Sequence, residues 1–317
     1  MTRTSARGTW RALLGLVLLL ACTCTPKPSK PGASKPGASP PTFATPPPSG
    51  PAITPASPGA SSSVLPLHLE KPVWLIAASA LSSLVRLDSD GTVTRRWFAD
   101  NRTLVIAGPG AAMPAGWTNR VLSLTSLDAI RLALAQGVPP DVRAILYDVE
   151  AWSLTPIAEQ ANPVGSIATA ARLVHGAGLQ FIAAPGVDLM GRLHPGQGPY
   201  YRSYVATRFA GAASDSADIF VVQAQTYQND PATYGTFVRQ VAAQARAAHP
   251  GVLVLAGLST GPHGEPTTAD AMLAAVAATG GTVDGYWLNI PGPGPQCPAC
   301  GPPNPGIALE FLRKLGA

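Results

Sequence analysis

Two acidic side chains stand at the end of an apolar run near the middle of the chain. Residues 143–149 read RAILYDV, and Asp148 and Glu150 lie two positions apart at its end. If the run is a strand, both carboxylates lie on one face with Leu146, while Tyr147 faces the outer layer. Mutual repulsion and burial raise the pKa of one carboxylate, which can then serve as a general acid. The alternative is that Asp148 and Glu150 have a structural role and form an ion pair with an arginine.

Two later apolar runs also end in polar and aromatic residues. If each continues as a strand, its alternate residues point to one side. Amides and phenols supply hydrogen bonds to a polar ligand such as a sugar, and tryptophan supplies a stacking surface. Packing residues with satisfied amides are the alternative. The candidates are Gln223, Gln225, Tyr227, Trp287 and Asn289, with Trp152 just beyond Glu150.

Eight short apolar runs supply the candidate strands that position these residues. They cover 73–78, 104–107, 121–124, 143–149, 180–184, 218–223, 252–257 and 284–290. Helical patterns occupy 127–136, 164–176, 201–213, 232–247, 267–278 and 305–315. Alternating strands and helices predict a parallel sheet, and eight repeats in about 250 residues predict a (β/α)₈ TIM barrel over 67–317. An open doubly wound sheet is the alternative, because no helical pattern separates 104–107 from 121–124.

In a barrel of this kind, active sites lie at the C-terminal ends of the strands. The layout of Asp-x-Glu on the fourth strand, glutamine and tyrosine on the sixth and tryptophan on the eighth resembles the family 18 glycoside hydrolases, the chitinase and endo-N-acetylglucosaminidase group. That family carries Asp-x-x-Asp-x-Asp-x-Glu on strand four. Aligned on Glu150, this chain keeps Asp148 but has Leu146 and Arg143 at the earlier acidic positions. It is also similar to secreted actinobacterial proteins with YDxEAW and GYWLNIPG segments.

The resemblance implies a role for each matching residue. Glu150 would be the general acid on the glycosidic oxygen, and Asp148 would orient the acetamido group of the substrate, which acts as nucleophile. Tyr227 would bind that acetamido group, and Trp287 would form the floor of the sugar site. Asp188 or Glu265, in loops after the fifth and seventh strands, could instead be the second carboxylate of a two-acid glycosidase.

The N-terminal residues have the pattern of an export signal. Arg3, Arg7 and Arg11 precede a ten-residue apolar run, too short to span a bilayer. The run ends in Leu-Leu-Ala-Cys22, which resembles the bacterial lipobox. We therefore expect a signal peptide at 1–21, a lipid on Cys22, a disordered Pro/Ser/Gly linker at 22–66 and an extracytoplasmic domain anchored at the membrane. An ordinary cleaved signal with an incidental cysteine is the alternative.

The charge balance argues against nucleic acid as a partner. Six of the 22 basic residues precede residue 36, whereas all 17 acidic residues follow residue 69, which leaves the domain with a net charge of −1. No basic run with interleaved aromatic residues occurs. We expect no cofactor and no metal, since no Walker motif, HExxH motif or complete dinucleotide fingerprint is present. We also expect a monomer.

The other two motifs point away from catalysis. Cys297 and Cys300 stand in a Gly/Pro-rich loop, where a local disulfide fits better than a zinc site or a redox-active pair. Gly257–Gly261 matches G-x-S-x-G but lacks the helix and the acid that a nucleophile elbow requires. Two function classes remain, namely a surface glycoside hydrolase and a non-catalytic barrel that binds a glycan or a partner.

Overall fold

The computed structural model describes residues 72–99, 101–294 and 297–317. Eight parallel strands pair in chain order and close on one another, which makes a (β/α)₈ TIM barrel. The strands are β1 (Val73–Ala77), β2 (Thr103–Ile106), β3 (Arg120–Leu124), β4 (Val142–Val149), β5 (Gln180–Pro185), β6 (Ile219–Val222), β7 (Leu253–Ser259) and β8 (Gly285–Asn289). The closed order confirms the predicted fold and excludes the open sheet.

Eleven α-helices form the outer layer of the described part. They are α1 (Ala78–Leu87), α2 (Thr92–Phe98), α3 (Leu127–Gln136), α4 (Ile157–Ala161), α5 (Pro163–Gly176), α6 (Leu189–Leu193), α7 (Tyr200–Ala206), α8 (Phe209–Ser214), α9 (Pro231–Ala248), α10 (Ala269–Thr279) and α11 (Pro305–Leu315). None of the helices described is long and apolar enough to cross a membrane. The predicted signal peptide, the lipid site at Cys22 and the 22–66 linker lie outside the described residues.

Several helices begin where the sequence places a capping residue. Ser126, Asp230 and Thr268 each accept a hydrogen bond from the backbone N–H three residues later, at the start of α3, α9 and α10. Such caps satisfy N–H groups that have no partner within the helix. Pro163 and Pro231 open α5 and α9, where a missing N–H costs nothing. Local sequence therefore fixes where these helices start.

The core has two parts, separated by the strands themselves. Alternate residues such as Leu75, Leu146 and Leu255 pack together inside the barrel. The residues between them, such as Ile145 and Tyr147, pack against the helices in a larger outer layer. This alternation confirms the predicted orientation of β4, in which Leu146 faces inward and Tyr147 outward.

One predicted helix is interrupted. The pattern at 201–213 predicts a single helix, but α7 ends at Ala206 and α8 begins at Phe209. Arg208, between them, has the left-handed conformation with φ 54°. The Thr207 hydroxyl also donates to the Ser203 carbonyl at 2.8 Å. The chain turns between the two helices, and the continuous helix predicted here is therefore wrong.

Candidate active site at the mouth of the barrel

Asp148 and Glu150 lie on the inner side of the barrel at the C-terminal end of β4. Asp148 is the penultimate residue of the strand and is only 4% exposed. Glu150 follows the strand and is partly exposed. A side-chain hydrogen bond joins the two carboxyl groups. The structure therefore brings together the two residues that the sequence singled out.

Two glutamines from the end of β6 reach across to this pair. Gln223 Nε2 donates to Asp148 Oδ1 at 2.9 Å and to the Ala184 carbonyl on β5 at 2.8 Å. Gln225 Nε2 donates to Gln223 Oε1 at 3.3 Å. Gln225 Oε1 is buried and has no hydrogen-bond partner. The amide chain fixes Asp148 and leaves one acceptor oxygen unpaired.

Gly257 on β7 makes room for the Gln225 side chain. A β-carbon at Gly257 would lie 2.5 Å from Gln225 Oε1 and 3.3 Å from the Val222 carbonyl. Real β-carbons do not approach oxygen that closely, so a larger residue at 257 would force the Gln225 amide to move. The glycine of the G-x-S-x-G segment thus serves side-chain packing inside the barrel.

A third carboxylate, Asp188, lies beside Glu150. Asp188 Oδ2 accepts a hydrogen bond from the Ala151 backbone N–H at 3.1 Å, while its Oδ1 is buried without a partner. A β-carbon on Gly186 would lie 2.4 Å from Asp188 Oδ1 and 2.7 Å from Glu150 Cγ. Both atoms therefore lie close to the position that a side chain at 186 would occupy, and glycine at this position leaves room for them.

The surroundings of these three carboxyl groups raise their pKa values, which favours a bound proton at the site. Burial raises the pKa of Glu150 well above its usual range, and the charges of Asp148 and Asp188 raise it further. Burial also raises the pKa of Asp148 to about 7, against hydrogen bonds from Glu150 and Gln223 that lower it. Burial therefore favours a proton on this pair, and the shared hydrogen bond raises the pKa of Glu150 and lowers that of Asp148.

Asp188 is held closer to its ionised form by backbone donors. Burial raises its pKa, but the N–H groups of Ala151 and Leu189 lower it. Among the described residues, the ion pairs lie elsewhere, for example between Arg120 and Asp141. A structural pair of Asp148 and Glu150 bound to an arginine, the alternative considered above, is therefore not formed within the described part of the chain.

Tyr227 does not occupy the position that the sequence predicted. Strand β6 ends at Val222, and Gln225–Tyr227 form one turn of 3₁₀-helix, so the two-residue alternation stops before Tyr227. Its ring packs edge-on against Tyr201 and Phe237, with centroids 5.1 and 5.8 Å away, in the layer between barrel and helices. The prediction that Tyr227 shares a face with the two glutamines is therefore wrong.

The tryptophans and Asn289 occupy different parts of the mouth. Trp287 on β8 is partly buried against the inner cluster, and Asn289 is partly buried at the end of the same strand. Trp152 Nε1 donates to Thr155 Oγ1 at 2.8 Å, and the same oxygen accepts the Glu150 backbone N–H at 3.3 Å. Trp152 thus holds the backbone on which Glu150 stands, whereas Trp287 faces the inside of the barrel.

Glu265, the other candidate for a second carboxylate, lies apart from this group. It lines a cavity of about 380 Å³ between the loops after β7 and β8. In the same region Cys297 and Cys300 form a disulfide, with Cα atoms 5.3 Å apart, as predicted. No group of three or more His, Cys, Asp or Glu side chains in the described ranges has the arrangement of a metal site.

Comparison with known proteins adds little to this picture. No protein-family model and no curated protein matches the chain. Solved structures that it resembles include a Rhizobium etli pyruvate carboxylase crystallised without acetyl coenzyme A, at 15% identity and a TM-score of 0.40. Another is the carboxyl transferase domain of that enzyme with 3-bromopyruvate, also at 15% and 0.40. The match covers 78% of this chain but only 27% and 46% of those two chains.

Proposed function

We propose that the barrel is a glycoside hydrolase in which Glu150 protonates the oxygen of the glycosidic bond. The observation that carries this proposal is the position of Glu150 at the open end of the barrel beside Asp148 and Asp188, where burial and the two neighbouring carboxylates raise its pKa. A carboxyl group with a raised pKa is the general acid that glycosidic cleavage requires. The unpaired oxygens of Gln225 and Asp188 are acceptors for sugar hydroxyl or amide N–H groups.

The positive charge that develops on the sugar ring needs a partner of opposite sign. Asp148 and Asp188 both stand beside Glu150 and supply that negative charge. If the substrate carries an acetamido group, Asp148 is placed to orient it, as in the family that the sequence resembles. If it does not, Asp188 is the carboxylate available to assist the attacking group, because its Oδ1 is unpaired. Both routes use Glu150 as the acid.

The membrane location is part of the same proposal. A lipid on Cys22 would hold the chain outside the cell membrane, and the linker would place the barrel within reach of a surface glycan. Substitution of Cys22 by Ser should move the protein from the membrane fraction to the soluble fraction. Labelling with a radioactive fatty acid checks this directly. Labelling of the Cys22→Ser chain at the level of the unmodified chain would contradict the lipid assignment.

The decisive experiment on function is a hydrolysis screen of the full-length protein in detergent. The panel contains chitin oligomers, peptidoglycan and neutral polysaccharides, and each assay is repeated with Glu150→Gln. Loss of a general acid lowers kcat by about 10²- to 10⁴-fold, and we expect that loss here. Thermal unfolding should show an intact fold, because glutamine preserves the shape of the side chain.

Glu310→Gln is the matched control for this substitution. Glu310 is an exposed residue of α11 that pairs with Lys314 at 2.9 Å, and its loss should leave turnover unchanged. Equal turnover in Glu150→Gln and in the unmodified protein would refute the proposal. Saturable glycan binding without turnover on any substrate would favour the non-catalytic barrel, for which Leu146 in place of an inner acid is the specific observation.

A further inference from the structure

A cavity of about 380 Å³ lies on the same face of the barrel as Glu150 but belongs to other loops. Its walls come from the segments that follow β7 and β8, and the ends of parallel strands in a closed barrel meet at one rim. Its volume falls within the range of small-ligand sites. The residues that matter for its chemistry are Thr260, Glu265, Pro266, Pro291, Pro303 and Asn304.

The two loops form a pre-organised pocket. A β-carbon on Gly264 would lie 3.2 Å from the Ala299 carbonyl, and Gly264 has φ +83°, a conformation that favours glycine. A β-carbon on Gly292 would lie 2.7 Å from Pro303. The disulfide between Cys297 and Cys300 restrains the same wall. These contacts and the disulfide restrain the loops around the cavity, and restraint before binding lowers the entropic cost of binding.

The polar groups of the cavity suit a hydroxyl-bearing ligand that is not anionic. Thr260 is 1% exposed, and its Oγ1 is buried without a hydrogen-bond partner. A buried hydroxyl group without a partner lowers the stability of the protein unless a ligand or a water molecule supplies the missing hydrogen bond. Glu265 is the one charged residue among those that line the cavity, so anionic ligands are disfavoured there. The proline rings offer C–H surfaces that suit the apolar face of a sugar ring.

We infer that this cavity is a second saccharide subsite, which takes an uncharged sugar unit of the glycan chain whose scissile bond lies at Glu150. The inference rests on the proposed function for its link to Glu150. Thr260 and Asn304 would bind hydroxyl groups of the distal unit, and Glu265 would accept a hydrogen bond from it. A chain that reaches both places binds more tightly than a chain that reaches only the carboxylates.

The test compares substrates of different length. Chitin oligomers and cello-oligosaccharides of two to six units are assayed with the unmodified full-length protein, Glu265→Gln and Thr260→Val. The unmodified protein should show a kcat/KM that rises with chain length. Each substitution should remove roughly three- to tenfold of that rise, the effect of one hydrogen bond, and leave the shortest substrate that is cleaved unaffected. Thr260→Val preserves the fold because its hydroxyl has no internal partner.

Controls separate the subsite from the catalytic proposal. Glu310→Gln should retain the full dependence on length. The double variant Cys297→Ser, Cys300→Ser should lose part of it, since the wall is no longer restrained. Turnover with the same length dependence in Glu265→Gln and Thr260→Val as in the unmodified protein would overturn the subsite and leave the hydrolase standing.

Calorimetric binding of the six-unit oligomers covers the case of no turnover. Weaker binding by Glu265→Gln and Thr260→Val would then support the subsite while the hydrolase fails. No binding of either oligomer by the unmodified protein, together with no turnover, would overturn the subsite as well. Binding of the oligomers that both substitutions leave unchanged would also overturn the subsite.

Discussion

Substitution of Gly186 by alanine tests whether the close approach of Asp188 and Glu150 is needed for catalysis. The added methyl group would sit 2.4 Å from Asp188 Oδ1 and 2.7 Å from Glu150 Cγ, whereas ordinary contact begins near 3.4 Å. Asp188 Oδ1 must therefore retreat by about 1 Å and Glu150 Cγ by about 0.7 Å. A misplacement of about 1 Å at a reacting group costs on the order of 100-fold in rate. We expect kcat to fall by about that factor.

The same displacement should shift the pH dependence in a predictable direction. The charge of Asp188 helps to raise the pKa of Glu150, and Glu150 must be protonated to act as an acid. A greater separation lowers the pKa of Glu150, so activity should fall at a lower pH on the alkaline side. The assay is kcat as a function of pH on the substrate found in the screen.

Stability should change much less than activity in this variant. Overpacking costs about 1–3 kcal/mol, and the reduced freedom of the unfolded chain offsets about 0.4–1 kcal/mol of it. The Gly186 N–H still donates to the Val149 carbonyl at 2.8 Å. Gly108→Ala is the control, since Gly108 follows β2 on the same face and its added methyl group meets nothing within 4 Å. Full kcat with an unshifted alkaline limb in Gly186→Ala would refute the reasoning.

Two further substitutions probe the same mouth. Asp148→Asn should raise the free energy of unfolding at pH 8 by about 1–3 kcal/mol. The pKa of Asp148 is raised from 3.8 to about 7. The stability that its protonated form contributes is therefore complete below pH 3.8 and is lost as the pH rises through 7. Denaturant unfolding at pH 4 and 8 checks this, and an equal effect at both would contradict it. Trp287→Ala should weaken saccharide binding by about 1 kcal/mol, measured by calorimetry, and unchanged binding would make Trp287 a packing residue.

The sequence predicts the barrel well because its signals are local. Each strand is a short apolar run bounded by turn residues, and all eight predicted runs overlap an observed strand. Helix α3, which begins at the Ser126 cap, is predicted with its observed bounds, Leu127–Gln136, whereas the predicted ranges for α9 and α10 differ from the observed ones by one or two residues at their ends. The sequence pattern misses α1, α2, α4 and α6. Helix α1 starts directly after β1 without an intervening turn signal, and α2 is only seven residues long.

The error at Tyr227 comes from extending a strand period past the strand. The alternation of side chains along a strand correctly places Asp148 and Leu146 on one face of β4. The same rule does not apply beyond Val222, where β6 ends. No turn residue follows Val222 at once, so the pattern gave no sign that the chain changes to a 3₁₀ turn. The Asn-Asp pair at 229–230, which precedes α9, is the first such signal.

The closeness of Asp188 to Glu150 depends on the pairing of strands, which a linear pattern does not contain. Asp188 lies 38 positions along the chain from Glu150, and the two meet because β5 pairs with β4 up to Val149 and Pro185. The sequence offers one usable signal, a carboxylate in the loop that follows a strand of a parallel barrel. That signal selects Asp188 and Glu265 alike, and only the arrangement of the loops places Glu265 in the cavity between the loops after β7 and β8.

The same dependence on neighbouring strands explains how this chain manages without an inner acid on β4. Leu146 is fully buried in the apolar interior, so no carboxylate below Asp148 sets its charge. Gln223 from β6 supplies a hydrogen bond to Asp148 instead, and Asp188 from the loop after β5 supplies a negative charge. A neutral donor from the end of β6 and an acid from the loop after β5 thus act on the pair of Asp148 and Glu150 without a further carboxylate on β4. A motif confined to one strand is therefore a poor measure of whether such a site can act as an acid.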